Sequence, residues 1–308
     1  MALPDRTQAR TVAHPSQVPV SALQLTVLKR LDVLLQGDHG GLLPGHGSDS
    51  GEARPYVAGD DPRRIDWPVT ARTTQTHVRD TIADHELELW LVVDTSASLA
   101  FGTSEHTKAE VAWAAAGAFA LLASRGGNRV AAVTAGGHRT IVPARSVRDH
   151  VGGLLARLRR PAEDGDGDGL APALTAVRRL APRRGMVVVV SDFLEPEGWA
   201  APLRLLTAKH DVVAVEVVDQ RELELPDVGL LTVVDPESGR RRFVDTARHR
   251  VRERYAEAAA KQRATIDRTL AGAGADHLVL RTDHDWVVDL VRFVGSRKAR
   301  RLAAGGRR

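Results

Sequence analysis

The sequence predicts a doubly wound α/β fold built on a mostly parallel sheet, and three observations carry that prediction. From residue 85 onward, short apolar runs rich in β-branched residues alternate with longer stretches of helical period. The runs are continuously apolar rather than alternating, as strands covered on both faces require. Asp94 in "ELWLVVD" and Asp192 in "VVVVSD" each close such a run, where the carboxyl ends of parallel strands open onto a crevice.

Taken in order, residues 20–36 set Val20, Leu23, Val27, Leu31, Leu34 and Leu35 mainly on one helical face. The Gly-, Pro- and Asp-rich segment that follows excludes long regular elements. Strands are expected at 87–93, 129–134, 186–191, 212–218 and 277–281, with short antiparallel pieces at 138–142 and 230–244. Helices fill the intervals at 105–124, 146–160, 170–181, 198–209, 246–271 and 285–300. This divides the chain into a lead with an amphipathic helix (1–36), a turn-rich segment (37–84), the α/β domain (85–295) and a basic tail (296–308).

Hydrophobic content of 43% and charged content of 27% suit a globular protein. The absence of cysteine excludes disulfides, zinc–thiolate sites, iron–sulfur clusters and thiol nucleophiles. No apolar run approaches the roughly 20 residues that span a bilayer, and the first 20 residues lack the apolar core of a secretory leader. The expectation is a cytoplasmic protein. A net charge of +4 with a pI near 9.8 reflects arginine richness. The densest cluster, "GSRKARRLAAGGRR", reads as a solvated tail; nucleic-acid binding there is the lesser reading, because aromatics make up only 4% of the chain.

After its apolar run, "ELWLVVDTSASLAFGT" presents Asp94, Ser96 and Ser98 at alternate positions. With Asp192, they form an oxygen-only donor set suited to Mg²⁺ or Mn²⁺. Without the metal reading, the serines are helix caps and the aspartates turn formers. A metal-dependent phosphoryl hydrolase could use the same geography, but where haloacid-dehalogenase-like phosphatases carry a general-acid aspartate two residues after the nucleophile, this chain has Ser96. Neither a G-x-S-x-G elbow nor a Walker-type phosphate loop is present. "DGDGDGLAPALT" (164–175) opens like an EF-hand loop, yet Thr175 stands where a bidentate glutamate is required. It reads as an acidic loop with Asp168 at or near the N-cap of the helix that follows.

With Asp94, Ser96, Ser98 and Asp192 in place, residues 85 to about 295 resemble a von Willebrand factor type A domain with its metal-ion-dependent adhesion site. Upstream, "RPYVAGDDPRRIDWPVTAR" (54–72) resembles the R-x-Y-x-x-G-D-D-x-R-x-I-D-W signature of a bacterial and archaeal family of unknown function. That family is often encoded beside MoxR-type AAA+ ATPases. The resemblance implies a non-enzymatic, cation-dependent interaction protein that works with such an ATPase in complex assembly. It also places Asp168 where the family usually carries a ligating threonine, and Leu99 where a methionine is usual. Within the signature, Gly59, Asp60 and Asp61 mark a turn. Arg63, Arg64 and Asp66 suit ion pairs, Ile65 and Trp67 suit burial, and Arg54, Tyr56 and Arg72 complete the pattern. A structural clasp onto the α/β domain is the preferred reading, with a partner-docking surface as the alternative.

Overall fold

The computed structural model describes residues 53–57, 60–62, 65–73, 75–79, 87–125, 127–137, 139–146, 150–158, 169–195, 197–234 and 240–305. The helix expected over 20–36, and Gly59, Arg63, Arg64 and Asp168, lie outside them. A small unit comes first: β1 (Ala53–Pro55) pairs antiparallel with β2 (His77–Arg79), and α1 (Trp67–Thr73) lies between them in sequence. The central sheet contains β3 (Glu88–Asp94), β4 (Arg129–Ala135), β5 (Ile141–Arg145), β6 (Met186–Ser191), β7 (Asp211–Val218) and β10 (Asp276–Arg281). Its helices are α2 (Lys108–Arg125), α3 (His150–Leu158), α4 (Leu170–Leu180), α5 (Ala200–Thr207), α7 (His249–Ala273) and α8 (Trp286–Gly305). Between β7 and α7 come the short α6 (Gln220–Leu223) and a separate hairpin, β8 (Leu230–Val234) with β9 (Arg241–Asp245).

The sheet runs β10-β7-β6-β3-β4-β5, parallel throughout except for β5, which is antiparallel to β4. Numbered in chain order within the sheet, this is the 3-2-1-4-5-6 arrangement whose strand order reverses between β3 and β6. Alternate residues of the apolar runs supply two cores. Leu89, Leu91 and Val93 face α2, α3 and α8, whereas Trp90 and Val92 face α4, α5 and α7. Each large aliphatic side chain buried there contributes roughly 1.5–3 kcal/mol by leaving water.

The expected strands and helices of the α/β domain are present, with ends shifted by a few residues. Two expectations need correction. Trp67 is 68% exposed at the start of α1, while its neighbour Asp66 is buried. The reason is local: Asp66 precedes the helix and accepts from the Val69 amide at 3.2 Å, so the indole at the next position turns outward. The start of the basic tail is likewise not solvated throughout. Helix α8 continues to Gly305, and Arg297 is buried, donating to Asp276 Oδ2 at 2.6 Å and to Asp211 Oδ1. Arg297 thereby ties together the first residues of β7 and β10, a position that 3.6-residue periodicity dictates and composition conceals.

Candidate functional site

The carboxyl ends of β3 and β6 meet at the reversal of strand order, and the loops leaving them carry the predicted residues. After Asp94 the chain is pinned to β4: the Thr95 amide and hydroxyl donate to Ala135 O at 2.7 and 2.8 Å. Gly136 then passes so close that a Cβ on it would lie 2.7 Å from the Ser96 nitrogen, and its φ of +82° also favours glycine. A 3₁₀ turn (Ala97–Ala100) follows, anchored by buried Leu99. These constraints bring the Ser96 and Ser98 hydroxyl oxygens to 3.0 Å from each other.

Asp94 is held on both carboxylate oxygens. Oδ1 accepts from the Ser96 amide at 2.8 Å, and Oδ2 accepts from the Ser191 hydroxyl at 2.6 Å. Ser191 Oγ in turn accepts from the Phe193 amide at 3.0 Å, which locks the turn leaving β6. In that turn Phe193 adopts a φ of 55° and packs edge-on against Trp199, a strained conformation of the kind that accumulates at functional sites. Burial pushes the Asp94 carboxyl up to about 6, and the charge of Asp192 adds to the shift.

Asp192 already faces a positive charge. Its Oδ2 accepts from Lys108 Nζ at 2.7 Å, and its Oδ1 from the Leu194 amide at 3.1 Å. Lys108, the first residue of α2, is 0% exposed and donates also to Glu222 Oε1 at 2.5 Å. Burial works against the ammonium, but Asp192 and Glu222 outweigh it and hold its pKa above the usual lysine value; burial raises that of Glu222. Glu222 and Asp219 form a reciprocal cap on α6. Asp219 also accepts from the Thr103 amide and hydroxyl at 2.9 and 2.6 Å and from Thr282 at 2.8 Å. One polar network therefore joins the loops after β3, β6, β7 and β10.

Of the predicted residues, the fold brings together Asp94, Ser96 and Ser98, with Asp192 next to them through its effect on Asp94. At the start of α4, Gly169 is the N-cap without a side-chain cap bond. The Leu170 amide donates instead to Glu195 Oε2 at 2.8 Å, and a Cβ on Gly169 would collide with that carboxylate. In the upstream unit, Arg54 and Asp60 form a two-pronged pair with both contacts at 2.7 Å, and Asp60 also accepts from the Val57 amide at 2.9 Å. Tyr56 donates its amide to Thr76 O at 2.8 Å, exposed Arg72 donates to Pro68 O at 3.1 Å, and Asp61 is exposed.

Lys108, Ser191, Asp219 and Glu222 were missed from sequence. Asp219 could have been found, since it ends the apolar run "VVAVEVVD" as Asp94 ends its own. A lysine opening a helix carries no such signal.

The donor chemistry fits a hard divalent cation. Asp94 and Asp192 supply two carboxylates there, and the Lys108 ammonium on Asp192 is shared with Glu222. No cluster of three or more His, Cys, Asp or Glu able to hold a metal occurs among the described residues, so the serine hydroxyls must supply part of any set.

Fold and site together define a doubly wound α/β protein with a polar, oxygen-rich cluster at its strand-order reversal. The chain belongs to DUF58, a family of proteins of unknown function, whose model matches residues 52–265. Uncharacterized proteins of Mycobacterium bovis and Mycobacterium tuberculosis are each 52% identical to it over 286 residues, spanning 91% of this chain and 89% of theirs. Among solved structures it is similar to the conserved hypothetical protein BatB from Bacteroides thetaiotaomicron. That match has 13% identity and a TM-score of 0.45, covering 68% of this chain and 98% of that one. It is also similar to a von Willebrand factor type A protein from Catenulispora acidiphila, with 13% identity, a TM-score of 0.33, and coverage of 61% and 44%. No helix among the described residues is long and apolar enough to cross a membrane.

Proposed function

We propose that the chain is a non-enzymatic interaction module that binds Mg²⁺ or Mn²⁺ at Asp94, Ser96 and Ser98 and engages a protein partner there. The observation that carries the reading is the convergence of these oxygens, with Ser96 Oγ and Ser98 Oγ 3.0 Å apart beside a carboxylate of raised pKa. Asp192 would serve through water, because Lys108 occupies one of its oxygens. The bound cation would supply a positive centre for an acidic group of the partner. The partner proposed is a MoxR-type AAA+ ATPase, a choice supported by the likeness of the 54–72 segment to the family signature.

Binding to the native state alone stabilises it by about 2.7 kcal/mol at a hundredfold excess over Kd. Mg²⁺ or Mn²⁺ is therefore expected to raise the melting temperature of the wild type and not of Asp94→Ala; equal shifts in both would remove the site. Capture of the purified ATPase should require the cation and fail in EDTA. Asp168 is proposed as a further ligand, which calorimetry on Asp168→Thr tests: weaker Mg²⁺ binding is expected, and unchanged affinity would strike Asp168 from the set.

A further inference from the structure

The β8–β9 hairpin stands apart from the central sheet and carries a concentration of exposed apolar surface. In its register, Thr232 lies opposite Phe243, so Leu230, Thr232 and Val234 share one face with Arg241, Phe243 and Asp245. On that face Leu230 is 72% exposed, Phe243 74% and Val234 50%. A two-stranded ribbon is marginal in water and gains stability once a further element covers its apolar face. Its base, however, is well made. The buried Thr246 donates its amide and hydroxyl to Gly229 O, both at 2.7 Å, and Arg252 pairs with Asp227 at 3.0 Å. The neck is secured while the face is left open.

Charge says what would cover it. Between Arg240 and Arg254 the chain carries seven arginines against two acids, an excess larger than the net +4 of the whole protein. Arg240, Arg241 and Arg242 are exposed. A second copy of the chain would bring like charges together. Against an anionic bilayer, the residues that join the two strands in sequence, "DPESG" (235–239), carry two acids and a proline. A nucleic acid would find a single aromatic platform on the face, Phe243. We infer that the hairpin face formed by Leu230, Val234 and Phe243, bordered by Arg241 and with Arg242 on the reverse of the same strand, docks an amphipathic protein segment whose apolar stripe is flanked by Asp and Glu. This surface is separate from the cation reading and needs no metal.

The test uses the full chain and a synthetic helical peptide with leucines at i, i+3, i+4 and i+7 and glutamates elsewhere, followed by fluorescence anisotropy. Saturable binding is expected in EDTA as well as in Mg²⁺, which separates this surface from the cation site. Phe243→Ser with Leu230→Ser, and independently Arg241→Glu with Arg242→Glu, should each weaken it by about tenfold or more. All four positions are exposed, so unchanged circular dichroism and urea midpoints should accompany the loss. Binding that is absent, equal in all variants, or equal for a shuffled peptide of the same composition would overturn the inference. So would preferential hairpin-dependent binding of phosphatidylserine vesicles or duplex DNA.

Discussion

Lys108 balances more charge at the site than any other side chain. With no exposure and two carboxylates on its ammonium, its removal leaves buried Asp192 and part-buried Glu222 without their cation. Breaking such a pair by deleting one partner costs about 3–5 kcal/mol. Lys108→Met should lower the urea midpoint accordingly, and a midpoint equal to the wild type would show that the ammonium is dispensable. Trp67 makes the opposite case. Standing in solvent, Trp67→Ala should stay within about 0.5 kcal/mol of the wild type, while Asp66→Ala, which removes the cap of α1, should cost about 1 kcal/mol. At this scale the sequence shows oxygens that follow an apolar run, because the end of a buried strand is where a carboxylate becomes conspicuous. It hides Lys108 and Ser191, whose partners lie 84 and 97 residues away. It misleads at Trp67, where bulk and hydrophobicity suggest burial that the helix start does not allow.

Between elements, β7, α7 and β10 share a charged cluster on the side of the sheet away from α2. Glu216 interrupts the apolar run of β7 and is buried, accepting from Arg263 of α7 at 2.9 Å and contacting His277 of β10 at 2.8 Å. Asp267 of α7 lies 3.1 Å from the other ring nitrogen. Burial disfavours the charged imidazole, but the hydrogen bonds and charges of Glu216 and Asp267 outweigh it and raise the His277 pKa above the usual 6.5. A group whose pKa is raised on folding stabilises the native state fully below its unfolded pKa. That stabilisation is lost as pH climbs through the folded value. The urea midpoint of the wild type should therefore decline as pH rises above about 6.5, and His277→Gln should flatten that decline. Parallel curves for the two proteins would exclude His277 as the source. The helices and strands of this region were legible from their periods. The cluster was not, since a glutamate within an apolar run announces a need for partners without naming them.

Over the whole molecule, the class of fold was readable from alternation alone, whereas the order of strands was not. β4 and β6 present equally apolar runs, and nothing in either says that both flank β3 or that β5 turns antiparallel at the edge. Asp94 and Asp192 could be paired in advance because each closes its own apolar run, whereas setting Glu222 and Lys108 beside them requires the strand order and the loops that follow from it. The clamp made by Arg297 has a consequence for biosynthesis. The ribosome delivers β3 and β4 early, but β7 keeps a bare edge until β10 is made, and Asp211 and Asp276 have no Arg297 between them until α8 follows. A chain interrupted just before Arg297 would hold all six strands of the sheet and still leave Asp211 and Asp276 without the guanidinium they share. The end of the sheet opposite the site is thus closed by α8 and not by the strands themselves.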